Sequence, residues 1–162
     1  MKPVSQLREQ HQFAINHAER MGFEHLGYGK TRDYIATATK LMEEAGYDVA
    51  HSSNAITPKV MVAVGEEAIA YLKDKEANGI YGYGVALVRS ADDAEVIVHE
   101  LVHHLQGCWT DDIPKDSSIP YHERWEEIQA HHIGFSVRMH RSPRSLLVKL
   151  RLRIAGIKLP LF

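Results

Sequence analysis

The chain has little with which to cross-link itself or to enter a membrane. Its one cysteine, Cys108, cannot form an intramolecular disulfide, which excludes a disulfide scaffold and fits a reducing compartment. No run approaches the roughly 18 consecutive apolar residues of a membrane-spanning helix, and the opening residues MKPVSQLREQ lack the apolar stretch of a secretory signal. A cytoplasmic protein is the expectation. Acidic residues also run out: after Glu127 there is no Asp or Glu, while Arg138, Arg141, Arg144, Lys149, Arg151, Arg153 and Lys158 supply seven positive charges. The formal total is −2, so residues 1–127 carry −9. A basic segment, 138–162, therefore follows an acidic body. It can serve a partner such as a nucleic acid, an anionic surface or a protein assembly, or it can lie against that body.

What is present suffices for one core. With 162 residues and 44% apolar content, the simplest organisation is a single domain over 1–162. Val4, Leu7, Phe13, Ala14, Ala18 and Met21 recur at helical spacing up to Gly22, and a second helix is expected from Thr31 to Ala45 with Gly46 as its stop. KVMVAVG reads as a short buried strand, EEAIAYLKDKEANG as a short helix, and IYGYGVALVRS as a strand interrupted by glycines. Asp111 to Pro120, DDIPKDSSIP, is the clearest loop. The expected class is α+β.

The chemistry concentrates in VIVHELVHHLQG, Val96 to Gly107. Ser90 as cap, Asp92 and Asp93 in a first turn and Gly107 as a stop predict a helix. On it His99 and His103 stand one turn apart on one face, close enough to bind one zinc ion, while Val98, Leu101, Val102 and Leu105 supply core surface. Glu100 is offset by about 100°; it is displaced for a ligand but placed to take a proton from a water, the role of the glutamate in His-Glu-x-x-His. The competing reading is a helix of core or surface histidines with no metal. A catalytic zinc ion also needs a third protein ligand, and YHERWEEIQAHHIG offers Glu123, Glu126, Glu127, His131 and His132 on an expected helix.

HELVH, His99 to His103, followed by EIQA, Glu127 to Ala130, resembles the small gluzincin-type zinc metallopeptidases, in which a second helix carries a ligating glutamate followed three residues on by alanine. The resemblance implies a compact zincin-like fold with a short sheet, an active-site helix and a second ligand-bearing helix. It implies Zn²⁺ on His99, His103 and Glu127, Glu100 as general base, and a protein or peptide substrate. It also implies that GIYGYGVALV, Gly79 to Val88, is a substrate-lining strand that pairs with an extended peptide at its edge. Where several gluzincins place an acidic residue four positions after the ligating glutamate, this chain has His131. The metzincin pattern would need Gly at Gln106 and His at Trp109, and fails at both.

Further residues carry weaker expectations. His131, one turn after Glu127, is a catalytic candidate that can donate a hydrogen bond to an oxyanion; Tyr81, Tyr83, Tyr121 and His122 are lesser candidates for the same task. His104 points about 100° away from His103 and is expected to face solvent or be hydrogen-bonded. Cys108 is expected to be a buried thiol, and Trp109 and Trp125 core anchors. SPRSLLVKLRLRIAG reads as a C-terminal helix capped by Ser142, with an alternating strand as its rival. Two functional classes remain open beside the peptidase: a peptidase-like binding or assembly module with a structural or inactive zinc site and a basic partner-binding tail, and a zinc hydrolase acting on something other than peptides.

Overall fold

The computed structural model describes residues 1–114 and 117–145. Helix α1 (Val4–Met21) leads through β1 (Phe23–His25) into α2 (Tyr28–Ala45). A 3-10 turn (His51–Ala55) then precedes β2 (Lys59–Ala63), α3 (Glu66–Asp74), β3 (Gly79–Gly82), β4 (Val85–Val88) and α4 (Ala94–Leu105). After the loop, a second 3-10 turn (Tyr121–Glu123) opens α5 (Trp125–Met139). The fold is α+β, with a mixed sheet of order β1-β2-β4-β3. β2 pairs parallel with β4, and β1 and β3 pair antiparallel at the two edges. Among the described residues no helix is long and apolar enough to cross a membrane.

The sheet is apolar on both faces because both are covered. Successive strand side chains point to opposite sides: Val60 of β2 joins Ala86 and Val88 of β4 against α2, α4 and α5, where Met42, Val98, Leu101 and Ile133 are all essentially inaccessible. Met61 and Val85 face the other way, onto Ile15 and Ala18 of α1 and Ala68 and Leu72 of α3. Helix α4 therefore lies between the sheet and α5, and nine of its residues, Ile97 to Leu105, are buried.

Several expectations need correction. The stretch IYGYGVALVRS is not one strand but a hairpin: Tyr83 (φ 52°) and Gly84 (φ 74°) form a two-residue turn of the left-handed kind that matches strand twist. β1 was not expected at all. Helix α2 begins at Tyr28 rather than Thr31. Asp93, not Ser90, caps α4, its side chain accepting from the Val96 N–H at 3.2 Å, while the Ser90 hydroxyl accepts from Asp92 one turn earlier. Phe13 on α1 is exposed, and so is half of Trp125, because α5 starts there with its first turn open to solvent. Trp109 is a core anchor as expected, buried beside Leu7 and Ile56. The expected C-terminal helix lies, from residue 146 onward, outside the described residues.

Candidate metal centre

Helix α4 carries four ionisable side chains in consecutive turns of a buried segment: His99, Glu100, His103 and His104, all at most 8% exposed. Burying charge costs several kcal/mol per group unless it is paired, so each needs a partner. For His99 and His103 the partner is on α5, which packs closely against α4. The crossing is tight because Gly134 stands where a Cβ would come within 3.1 Å of the Glu95 carbonyl oxygen. This brings Glu127 over the His99–His103 face.

The two imidazoles meet that one carboxylate. His103 Nε2 lies 3.2 Å from Glu127 Oε1, and His99 Nε2 lies 3.3 Å from Glu127 Oε2. Two donors each about 2.0–2.1 Å from a tetrahedral zinc ion stand about 3.3 Å apart. The Glu127 side chain is buried, and its Oε2 has no hydrogen-bond partner among the described residues. A buried carboxylate oxygen without a hydrogen bond is costly, and a cation between it and the imidazoles would remove that cost. The Glu100 carboxylate belongs to the same cluster, with one potential donor atom from each of His99, Glu100 and His103 lying within 4.8 Å of the others. His131 approaches from α5, its ring centroid 4.5 Å from that of His99, and it forms a second such group with His99 and Glu127. Buried His99, Glu100, His103 and Glu127 can thus bind a metal ion.

The proton on His103 is positioned by a residue the sequence reading did not single out. Gln106 Nε2 donates to the Glu126 carbonyl oxygen at 3.0 Å and to Gln129 Oε1 at 3.2 Å, which turns its Oε1 toward His103 Nδ1, 3.0 Å away. An amide oxygen only accepts, so Nδ1 must carry a hydrogen and Nε2 is the nitrogen left to bind a cation. Gln106 lies three residues after His103, the spacing of helical neighbours; that was the available signal. Gly79 was the other omission. A Cβ there would fall 2.9 Å from Glu100 Cγ and 3.0 Å from Glu100 Oε1, so the start of β3 sits on the candidate base.

Electrostatics follow the pairing. Burial alone would raise the Glu127 pKa, but His103 and His99, with Tyr121, hold the carboxyl well below the usual range. Burial disfavours charge on His103, yet Cys108, Glu127 and Glu100 together push it up to about 10. His131 moves the opposite way, down to about 4, through burial and the neighbouring His99; it is therefore a neutral imidazole with one N–H to donate.

The cluster opens into a cleft of about 720 Å³, bounded by Gly79 to Tyr81 of β3, by α4, and by Glu126, Glu127 and His131 of α5. β3 is an edge strand. Tyr121 also lines this cleft, whereas Tyr83, His122 and Glu123 are exposed away from it. His104 turns inward instead: its Nε2 donates to the Ser53 and Ile56 carbonyl oxygens at 2.9 and 3.0 Å, and its Nδ1 accepts from the Tyr81 hydroxyl at 2.8 Å. His132 is likewise used up, between Tyr47 Oη and the Pro143 carbonyl oxygen, each 2.6 Å away. Cys108 is only partly buried; it lines the cleft, 3.5 Å from Gln106 Oε1. Compared with protein-family models, curated proteins and solved structures, the chain matches none.

Proposed function

We propose that the chain is a zinc-dependent metallopeptidase, with His99, His103 and Glu127 as the metal ligands and Glu100 as the general base. The observation that carries this reading is the buried Glu127 Oε2, without a hydrogen bond among the described residues and 3.3 Å from His99 Nε2, facing a pair of imidazoles one helical turn apart. A zinc ion held there would lower the pKa of water and polarise a carbonyl. Glu100 takes the proton of the attacking water and passes it to the leaving amine. His131, neutral and at the mouth of the cleft, donates a hydrogen bond to the oxygen on which negative charge develops. The edge of β3 offers main-chain groups to an extended peptide, which is what favours peptides over other hydrolysable substrates.

The test is metal analysis of the purified protein beside His99→Ala, His103→Ala and Glu127→Ala, together with zinc-dependent cleavage of a mixed fluorogenic peptide library by the parent and by Glu100→Gln. Expected are about one zinc per parent chain, none in the ligand variants, and zinc without cleavage in Glu100→Gln. A folded parent that takes up no divalent metal overturns the centre. Stoichiometric zinc with no cleavage of any peptide overturns the peptidase and leaves the metal-held binding module.

A further inference from the structure

The crossing of α4 and α5 brings together more donors than the three ligands named above. Helix α4 presents His99 and His103 one turn apart, and α5 answers with Glu127 and His131, also one turn apart, the spacing at which helical side chains share a face. That face of α5 lies on α4, because its neighbouring positions in the stripe both reach His99. Glu127 Oε2 is 3.3 Å from His99 Nε2, and a Cβ on Gly134 would stand 3.6 Å from His99 Cβ. His131 comes between them, its ring centroid 4.5 Å from that of His99.

One donor atom from each of His99, Glu127 and His131 lies within 4.8 Å of the others, and the Glu127 oxygen nearest His99 is the buried one without a hydrogen bond among the described residues. Donors around a tetrahedral zinc ion stand about 3.3 Å apart, so closing this group takes a turn of the His131 ring, which at the cleft has room to make it. Its nitrogens are also differently placed from those of its neighbours. His104 and His132 are each hydrogen-bonded through both ring nitrogens. His131 makes ring contacts with His99 and Tyr121 and no hydrogen bond among the described residues, which leaves a nitrogen lone pair for a cation. It is held less firmly than the other donors. His99, His103 and Glu127 are buried while His131 is exposed, and it lacks the anchor that Gln106 gives His103 at 3.0 Å.

We propose that His131 is a displaceable fourth ligand: with the cleft empty its imidazole completes a tetrahedral set with His99, His103 and Glu127, and an incoming oxygen donor takes its place. The proposal rests on the metal centre described above and not on the peptidase assignment. One metal–nitrogen bond is exchanged for one metal–oxygen bond, and no proton changes hands. Four protein ligands close a zinc site, whereas three leave it open for chemistry. A labile fourth ligand lets one site be both, shut when idle and opened by what fills the cleft. The released ring stands at the cleft, free to give the hydrogen bond assigned to it in catalysis.

The test is nitrogen-15 NMR of the full chain loaded with cadmium-113, a spin-bearing stand-in for zinc that splits the signal of each imidazole nitrogen bound to it. Splitting is expected at three histidines, the third vanishing in His131→Gln while circular dichroism melts show that variant folded. Saturating acetohydroxamic acid, a small oxygen chelator, should remove the same splitting from the parent and leave the other two. Zinc affinity, read by competition with a chelating dye, should fall about tenfold or more in His131→Gln. Splitting at two histidines only, or an unchanged zinc affinity, overturns the fourth ligand and leaves the three-ligand centre standing. Splitting at His131 that survives acetohydroxamic acid overturns its displacement. A parent that takes up no metal overturns the centre itself, so the two failures are distinguishable, and none of these outcomes is read from peptide cleavage.

Discussion

His103 and His104 are adjacent in the chain, yet α4 delivers them to opposite worlds. His103 faces α5, with one nitrogen fixed by Gln106 and the other against Glu127; Cys108 and the carboxylates of Glu127 and Glu100 overcome burial and raise its pKa to about 10. His104 faces the sheet and the His51–Ala55 turn, where two carbonyls and a tyrosine hydroxyl satisfy both nitrogens; burial lowers its pKa, the two carbonyls oppose that only in part, and His11 adds to it. The same side chain is thus a candidate ligand on one face of the helix and a neutral bracket on the other. What decides is whether the neighbours leave a nitrogen with only a carboxylate opposite it.

The strongest way to break this contrast is to truncate each ring. His103→Ala should abolish metal binding while the protein stays folded, because α4 retains its other buried contacts. His104→Ala should keep stoichiometric metal but lower stability by about 2–4 kcal/mol, through a cavity and two carbonyls left without a donor. Metal analysis and denaturant melts of the two variants check both. If a folded His104→Ala protein loses its metal, the two faces are not separate in function. Next in size is Gln106→Leu, which removes the acceptor for His103 Nδ1 and should weaken metal affinity about 10–100-fold, measured by competition with a chelating dye. An unchanged affinity would mean that Gln106 serves only to join α4 to α5.

How much of this could be read from the chain differs between the two faces. The metal face was legible because helical periodicity puts His99 and His103 in line, and the resemblance picked Glu127 out of five candidates; the structure brings those three together. On the inward face only the choice of a solvent-facing or hydrogen-bonded His104 was legible; the structure shows the hydrogen-bonded one, with partners the sequence did not name. His104 depends on carbonyls about 50 residues earlier, at Ser53 and Ile56, which no local spacing reveals. The hairpin was hidden for a different reason: its turn puts Tyr83 at a positive φ, a conformation that residue rarely takes. Trp125 was misread because a large aromatic suggests burial, although it stands at the exposed start of α5.

Gly79 tests whether the sheet presses on the metal face. Alanine there would place its Cβ 2.9 Å from Glu100 Cγ and 2.7 Å from Val96 Cγ1, forcing the Glu100 carboxylate or the start of β3 to move. Under the proposed mechanism, Gly79→Ala should lower peptide hydrolysis about tenfold or more, since small misplacements of a catalytic group are costly. Its zinc content should not change, because the ligands are untouched. Full activity would place the base elsewhere.

The smallest expected effect comes from Tyr81→Phe, and it separates the faces most cleanly. Tyr81 lies on β3, lining the metal cleft, but its hydroxyl is spent on His104 Nδ1 at 2.8 Å. Burial raises its pKa, which keeps the hydroxyl protonated and able to donate to His104. Removing the hydroxyl leaves the His104 Nδ1 lone pair unsatisfied, while Nε2 still donates to Ser53 and Ile56. A loss of about 1 kcal/mol follows, visible as a shift in the denaturant midpoint with the slope unchanged. Metal affinity and any zinc-dependent hydrolysis should match the parent. A selective loss of turnover in Tyr81→Phe, with stability intact, would move this hydroxyl from the bracket to the reaction, and the line between the two faces of α4 would have to be redrawn through β3.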